Sequence, residues 1–317
     1  MTRLLGSRVV RLVVAIGLTS YIFWRSDPQA IFQAAAAADP RWLVLACGLV
    51  LFDRALMAWR WIALLRPVTA GAPVPFGALM RVFFVSSFLG TFLPASIGGD
   101  AVRAFSLTRY DVPAHAALAS VAMDRALGVV SILILGGVSV ATLPAAAPLG
   151  VHVILACGGL ASAVLAATIF VTPLGDAAAR LTERLPHRRV RALAGRLVAA
   201  MRAYRHHHAA LAAVTLASLG VQVLRVLQAW CLGRAIGIDA PLAVYFVAIP
   251  VIVLIMQVPI TVNGLGTGQA AFVWTFRAAG VLAPPALALS ILFIALGIVG
   301  NLPGGLLYAT GGRREVT

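Results

Sequence analysis

Residues 114–142 form one long apolar run, charged only at Asp124 and Arg125, and residues 151–172 form another, and the loop between them carries no charged side chain. A helix of about 18 or more apolar residues is long enough to cross the hydrocarbon of a bilayer. Further runs at 41–65, 209–232 and 286–309, and one ending at Trp24, give about six full spans. With 61% hydrophobic and 11% charged residues, against about 25% charged in soluble domains, the chain reads as a polytopic integral membrane protein. No stretch is long and polar enough for a separate soluble domain. The expected fold is an all-α membrane bundle forming a single transmembrane domain over 1–317. Its repeat-like halves lie at about 41–172 and 209–310, joined by a basic segment at 173–208.

Two apolar runs break themselves. Within about 76–110 the chain reads FLPASIGGDAVR from Phe92 to Arg103, placing Pro94, Gly98, Gly99, Asp100 and Arg103 where a helix should continue. Pro94 removes a backbone donor, and the paired glycines permit conformations closed to other residues. Within about 242–280, Pro259–Gly264 (PITVNG) repeats the pattern of Pro94–Gly99 (PASIGG) and runs on through Gly266 to Gly268. Irregular backbone at membrane depth persists only where protein buries it or water reaches it. Paired breaks in two halves of a chain point to a transporter's binding site.

The net charge of +15 sits mostly between the apolar runs, and every basic residue is arginine. That distribution indicates cytoplasmic loops and contact with anionic membrane lipids, and excludes a nucleic-acid partner. Arg3, Arg8 and Arg11 precede an uncleaved N-terminal anchor and put that terminus in the cytoplasm. Trp59-Arg60-Trp61 and Arg66 read as an interfacial anchor. The most basic stretch, 173–208, must be cytoplasmic. Within it Val190, Leu193, Leu197, Met201 and Tyr204 recur at helical spacing, which predicts an amphipathic helix on the inner leaflet. Counting spans from that fixed point puts both ends of the first broken segment in the cytoplasm and both ends of the second outside. Both termini are then cytoplasmic, the membrane is the inner one, and the segments are re-entrant hairpins in an inverted-repeat arrangement, or else pairs of tilted spans.

Charges inside apolar runs cost about 2.5–3.5 kcal/mol each at a helix centre and mark functional paths or mutual pairs. Asp53 and Arg54 read equally as functional or as a pair holding helices in register, and Arg81 and Arg277 as snorkelling to an interface. Arg103, Arg125 and Arg225 are candidates to hold a lipid phosphate bidentately. Asp100 and Asp124 would orient them, or carry protons. Three consecutive histidines, His206 to His208, fan out by about 100° each on a helix and cannot share one metal ion. Cys47, Cys157 and Cys231 lie far apart in apolar runs as packing residues. No metal or cofactor site and no enzymatic constellation is expected.

Trp59-Arg60-Trp61, FLPASIGGDAVRAFSLTR, Asp124-Arg125, PITVNGLGTGQAAF and the terminal LPGGLLY together resemble the flippase-like membrane family, which includes the transmembrane domain of lysylphosphatidylglycerol synthases. The resemblance covers nearly the whole chain and implies movement of a phospholipid or lipid-linked polar headgroup between leaflets. Carried over by position, its motif residues are Pro94, Gly98, Gly99, Asp100, Arg103, Asp124, Arg125, Asn263, Gly264 and Gly266. Gln269 stands where the family usually has glutamate, which weighs against a proton-coupled role there. The synthases' aminoacyl-transferase domain is missing, so the chain is not expected to make lysyl-phosphatidylglycerol. The expected function is a non-catalytic lipid translocator with an anionic phospholipid or lipid-linked substrate. The alternatives are a membrane-embedded transferase using Asp100 or Asp124 as base, or a scaffold for a separately encoded lipid-modifying enzyme.

Overall fold

The computed structural model describes residues 38–69, 74–92, 97–142, 149–184, 188–257 and 267–310. Among them all regular structure is helical, with eleven α-helices and no strand. Five are long and apolar enough to cross a membrane: Pro40–Val68, Ala114–Thr142, Leu149–Ile169, His208–Ala235 and Ala283–Thr310. These are five of the six expected spans. The N-terminal anchor, Pro94, Asn263, Gly264 and Gly266 lie outside the described residues.

Helix α1 (Pro40–Leu65) begins on Asp39, whose carboxylate accepts from the Arg41 amide at 2.9 Å, with proline in the first turn where its missing N–H costs nothing. The Asp39 amide in turn donates to the Ala235 carbonyl at 2.9 Å, at the far end of α8 (His208–Ala235). α1 and α8 therefore run antiparallel and form the most extensively packed helix pair of the bundle. α4 (Ala114–Thr142), α5 (Leu149–Phe170) and α11 (Ala283–Thr310) complete the long spans.

The broken segments are helical hairpins. The first consists of α2 (Phe76–Gly90) and α3 (Ile97–Leu107). The second consists of α9 (Leu242–Met256) and α10 (Thr267–Ala278). The longest arm has 15 residues, or about 22 Å at 1.5 Å per residue, short of a hydrocarbon core of about 30 Å. In the first hairpin the arms meet backbone to backbone: a Cβ on Gly99 would sit 3.0 Å from Gly90 Cα and from the Ser86 carbonyl oxygen. Gly98 and Gly99 lie inside regular helix, and the positive-φ glycines among the described residues are Gly237 and Gly280. Gly99 is needed for close approach, not for the unusual backbone conformation the sequence suggested. Gly304 of the terminal LPGGLLY does the same for α2 against α11, since any Cβ there would collide with the Phe84 carbonyl.

The two hairpins pack at opposite ends of α1. Ala58, Trp61, Ile62 and Leu65, in its C-terminal half, share a core with Leu79 and Phe83 of α2 and Leu107 of α3. Ala46 and Val50, in its N-terminal half, share one with Ile252 of α9 and Phe272 and Phe276 of α10. At the tips, Phe92 and Met256 both pack against Ile294 and Ile298 of α11.

Two readings of the basic regions change. Arg60 and Trp61 are buried within the bundle, not at an interface, and only Trp59 of that triplet is exposed. After the short α6 (Thr172–Glu183), the amphipathic helix α7 (Arg188–Ala203) turns part of its apolar face inward: Leu197, Met201 and the following Tyr204 pack on Leu64, Met123 and Leu211, and the Tyr204 hydroxyl donates to the Leu64 carbonyl at 2.6 Å. Val190 and Leu193 remain exposed.

Candidate functional site

On α1 the residues Asp53, Met57 and Arg60 recur at i, i+4 and i+7, one helical face. Ser218, Gln222 and Arg225 do the same on α8. Because the helices are antiparallel, the faces meet level by level: Arg60 Nη1 donates to Ser218 Oγ at 2.9 Å, and Arg225 Nη2 to Met57 Sδ at 3.5 Å. All of these except Ser218 border a cavity of about 240 Å³, also lined by Arg54, Arg103, Asp124, Arg125, Gln228, Gln257 and Asn301. Five arginines thus converge on one hollow of an apolar bundle, Arg60 and Arg103 buried and Arg125 exposed at its edge. With Asp53 and Asp124 in the wall, and Asp100 paired to Arg125, the surplus is two positive charges. A cleft of one sign with low-dielectric walls attracts the opposite charge.

At one level the charges are closely paired. Asp124 is only 4% exposed and accepts from Arg60 Nε at 2.8 Å, with Arg103 Nη1 3.8 Å away. Arg103 also donates to Ser86 Oγ at 3.2 Å and Ser87 Oγ at 3.5 Å, and its guanidinium lies 4.4 Å from the Phe83 ring centre, a cation–π distance. This network ties the first hairpin to α1, α4 and α8. Beside it, Arg125 clasps Asp100 through two bonds, Nε to Oδ2 at 2.7 Å and Nη2 to Oδ1 at 3.1 Å. Asp100 sits in the first turn of α3, where the helix dipole favours a carboxylate.

Seven residues along α1 from Arg60, about 10 Å away, the second level is sparsely paired. Arg54 Nη1 reaches Met57 Sδ at 3.4 Å and lies 4.0 Å from Asp53 Oδ2, while Arg225 Nη1 reaches Gln222 Oε1 at 3.4 Å. Glycines make the room: Gly297 and Gly300 of α11 face Arg54, and Gly128 of α4 faces Arg60.

Residues 8–304 match the family described as the lysylphosphatidylglycerol synthase TM region. The chain belongs to that family. The matched span takes in every residue that lines the cavity. No curated protein matches the chain.

Of the residues singled out in the sequence, Arg103, Asp124, Arg125 and Arg225 line the cavity and Asp100 is held at its edge by Arg125. Gln269 does not join them; it lies in a separate surface depression beside Trp274 and Arg277. Arg81 does more than snorkel, since its Nη2 donates to the Leu307 carbonyl of α11 at 2.9 Å. Arg60 and the carboxamides Gln222, Gln228, Gln257 and Asn301 were missed as site residues. The i, i+4, i+7 spacing from Asp53 to Arg60, and from Ser218 to Arg225, was the signal available for two of them.

Proposed function

We propose that this protein moves an anionic phospholipid, or another lipid-linked polar headgroup, between the leaflets of the inner membrane. The headgroup would pass through the arginine-lined cavity while the acyl chains stay in lipid. The observation that carries this reading is the cavity itself: a positively charged hollow in an apolar bundle, flanked by hairpins whose longest described arm has 15 residues. Its volume of about 240 Å³ lies below the roughly 300–1,000 Å³ of pockets that enclose drug-sized ligands, a scale that suits a headgroup and not a whole lipid.

The packing of the hairpins at opposite ends of α1 supports an inverted arrangement, the first entering from the cytoplasm and the second from outside, with both termini cytoplasmic. Opposed hairpins around one central site suit alternating exposure. A transferase using Asp100 or Asp124 as general base has less support, because both carboxylates already accept from arginine donors.

The test uses proteoliposomes containing fluorescent phosphatidylglycerol, with exchange between leaflets read by quenching from outside and lipid mass read by mass spectrometry. Faster exchange with unchanged mass is expected, slowed by Arg103→Ala and Asp100→Ala in protein that stays folded. A change of lipid mass would instead identify an enzyme, and exchange no faster than in protein-free vesicles would refute transport.

A further inference from the structure

The cavity's five arginines are not equivalent. Arg60 is held by Asp124 and Ser218, Arg103 by Ser86, Ser87 and Asp124, and Arg125 by both oxygens of Asp100. Any anion that approached these three would compete with carboxylates and hydroxyls already in place. Arg54 and Arg225 differ. Both turn a guanidinium N–H toward the single sulfur of Met57, at 3.4 Å and 3.5 Å, and a thioether is a weak acceptor. Arg54 Nε is buried with no hydrogen-bond partner among the described residues. The other contacts of both side chains among the described residues are long, 4.0 Å from Arg54 Nη1 to Asp53 Oδ2 and 3.4 Å from Arg225 Nη1 to Gln222 Oε1. Two guanidiniums aimed at one soft atom therefore form an anion site with no short bond to a strong acceptor.

The remaining polar atoms narrow the ligand. Among the described residues four cavity-lining atoms are buried without hydrogen-bond partners: the donors Arg54 Nε and Gln228 Nε2, and the acceptors Asp53 Oδ1 and Asn301 Oδ1. A hydroxyl can satisfy either kind, since it both donates and accepts; a primary ammonium donates only and a quaternary one does neither. The local charge, Arg54 and Arg225 against Asp53, is a single positive unit, which matches the one negative charge of a phosphodiester. A phosphomonoester carries about −1.5 to −2, and a headgroup ammonium would meet a positive field.

We propose that Arg54 and Arg225 are the phosphate-binding pair and that the lipid is a phosphodiester monoanion with a hydroxyl-bearing headgroup. The Arg60–Asp124–Arg103 and Asp100–Arg125 networks act as the frame that positions them. This deepens the translocator reading and rests on it for the ligand's being a lipid. The assignment of the pair within the cavity is independent of transport.

The experiment measures lipid retained by full-length protein in phosphatidylcholine nanodiscs by native mass spectrometry, and leaflet exchange in vesicles for the same proteins. The competing probes are phosphatidylglycerol, phosphatidic acid and phosphatidylethanolamine. The native chain should retain phosphatidylglycerol in preference to the other two, a comparison that needs no variant. Hydrogen bonds to charged groups are strong enough that Arg54→Gln and Arg225→Gln should each lower that retention about tenfold or more. Arg225→Lys, which keeps the charge but not the fork, should lose less, and Arg202→Gln on the cytoplasmic helix should change nothing. Equal retention of phosphatidylethanolamine, or native-level retention in both glutamine variants, would overturn the proposal. Should either glutamine variant fail to fold, the lipid preference of the native chain and the Arg225→Lys value still decide. Retention without exchange would leave the site standing and remove the transport reading; exchange that survives both glutamine variants would do the reverse.

Discussion

Phe92 and Met256, more than 160 residues apart in the chain, pack against the same two side chains, Ile294 and Ile298. One belongs to the tip of the first hairpin and the other to the tip of the second, so both breaks close on the middle of α11. A helix that seats two tips at once couples them: movement of one hairpin disturbs the surface on which the other rests. In a thermal-unfolding double-mutant cycle, Phe92→Ala and Met256→Ala are expected to be non-additive by at least about 0.5 kcal/mol. Additive effects would mean the tips are energetically independent.

The carboxylate of Asp124 is the counterion of two buried arginines. Asp124→Ala strands Arg60 and Arg103 away from water, and breaking a buried pair in this way costs about 3–5 kcal/mol. A marked fall in melting temperature in detergent is expected. Replacing the cluster together, Arg60→Met with Arg103→Met and Asp124→Leu, should recover much of the loss while abolishing lipid exchange, because the frame returns without its charges.

Glycine substitutions separate close approach from mere composition. Gly304→Ala and Gly99→Ala drive a methyl group into backbone, at the Phe84 carbonyl and at Gly90, and neither backbone can retreat without moving a whole helix. Both should sharply reduce folded yield. Gly77→Ala, in the same hairpin, meets nothing within 4 Å and is expected to be neutral or to stabilise by up to about 1 kcal/mol through helix propensity. The three variants can be ranked by size-exclusion profile and melting temperature.

The inverted arrangement is open to cysteine labelling in a background lacking Cys47, Cys157 and Cys231. Thr108, just beyond α3, is exposed, and so is Asp239, whose carboxylate accepts from Arg234 at 2.9 Å; the neighbouring Ala240 is buried and unsuitable. A cysteine at Thr108 should react with an impermeant reagent from the cytoplasm and one at Asp239 from outside. Reaction of both from one side would leave the hairpins entering from a common face.

Much of this architecture was legible in the chain because membrane helices announce themselves by length. The spans at 114–142 and 209–232 coincide nearly residue for residue with α4 and α8, and the arginine-rich 173–208 marks the non-spanning helices. The breaks were legible from proline and glycine. What glycine was for was not: Gly99 looks the same in sequence whether it turns the backbone or admits a neighbouring helix, and only the distance to Gly90 distinguishes the two. Arg60 was misread for a related reason. Flanking tryptophans are the mark of an interface, but they face different directions on a helix, so Trp59 is exposed while Arg60 and Trp61 turn inward. The division of the arginines into paired and sparsely paired could not be read from the chain at all, because the partners of Arg60 lie 64 and 158 residues away.

A cavity reached from both faces is the claim on which the transport reading stands, and a single cysteine at Gln257 addresses it most directly. Gln257 ends the first arm of the second hairpin and lines the cavity. Impermeant thiol reagents added to sealed, oriented vesicles are expected to modify Gln257→Cys from either side, and excess phosphatidylglycerol should slow the reaction from both. Modification from one side only, or rates indifferent to the lipid, would contradict the account.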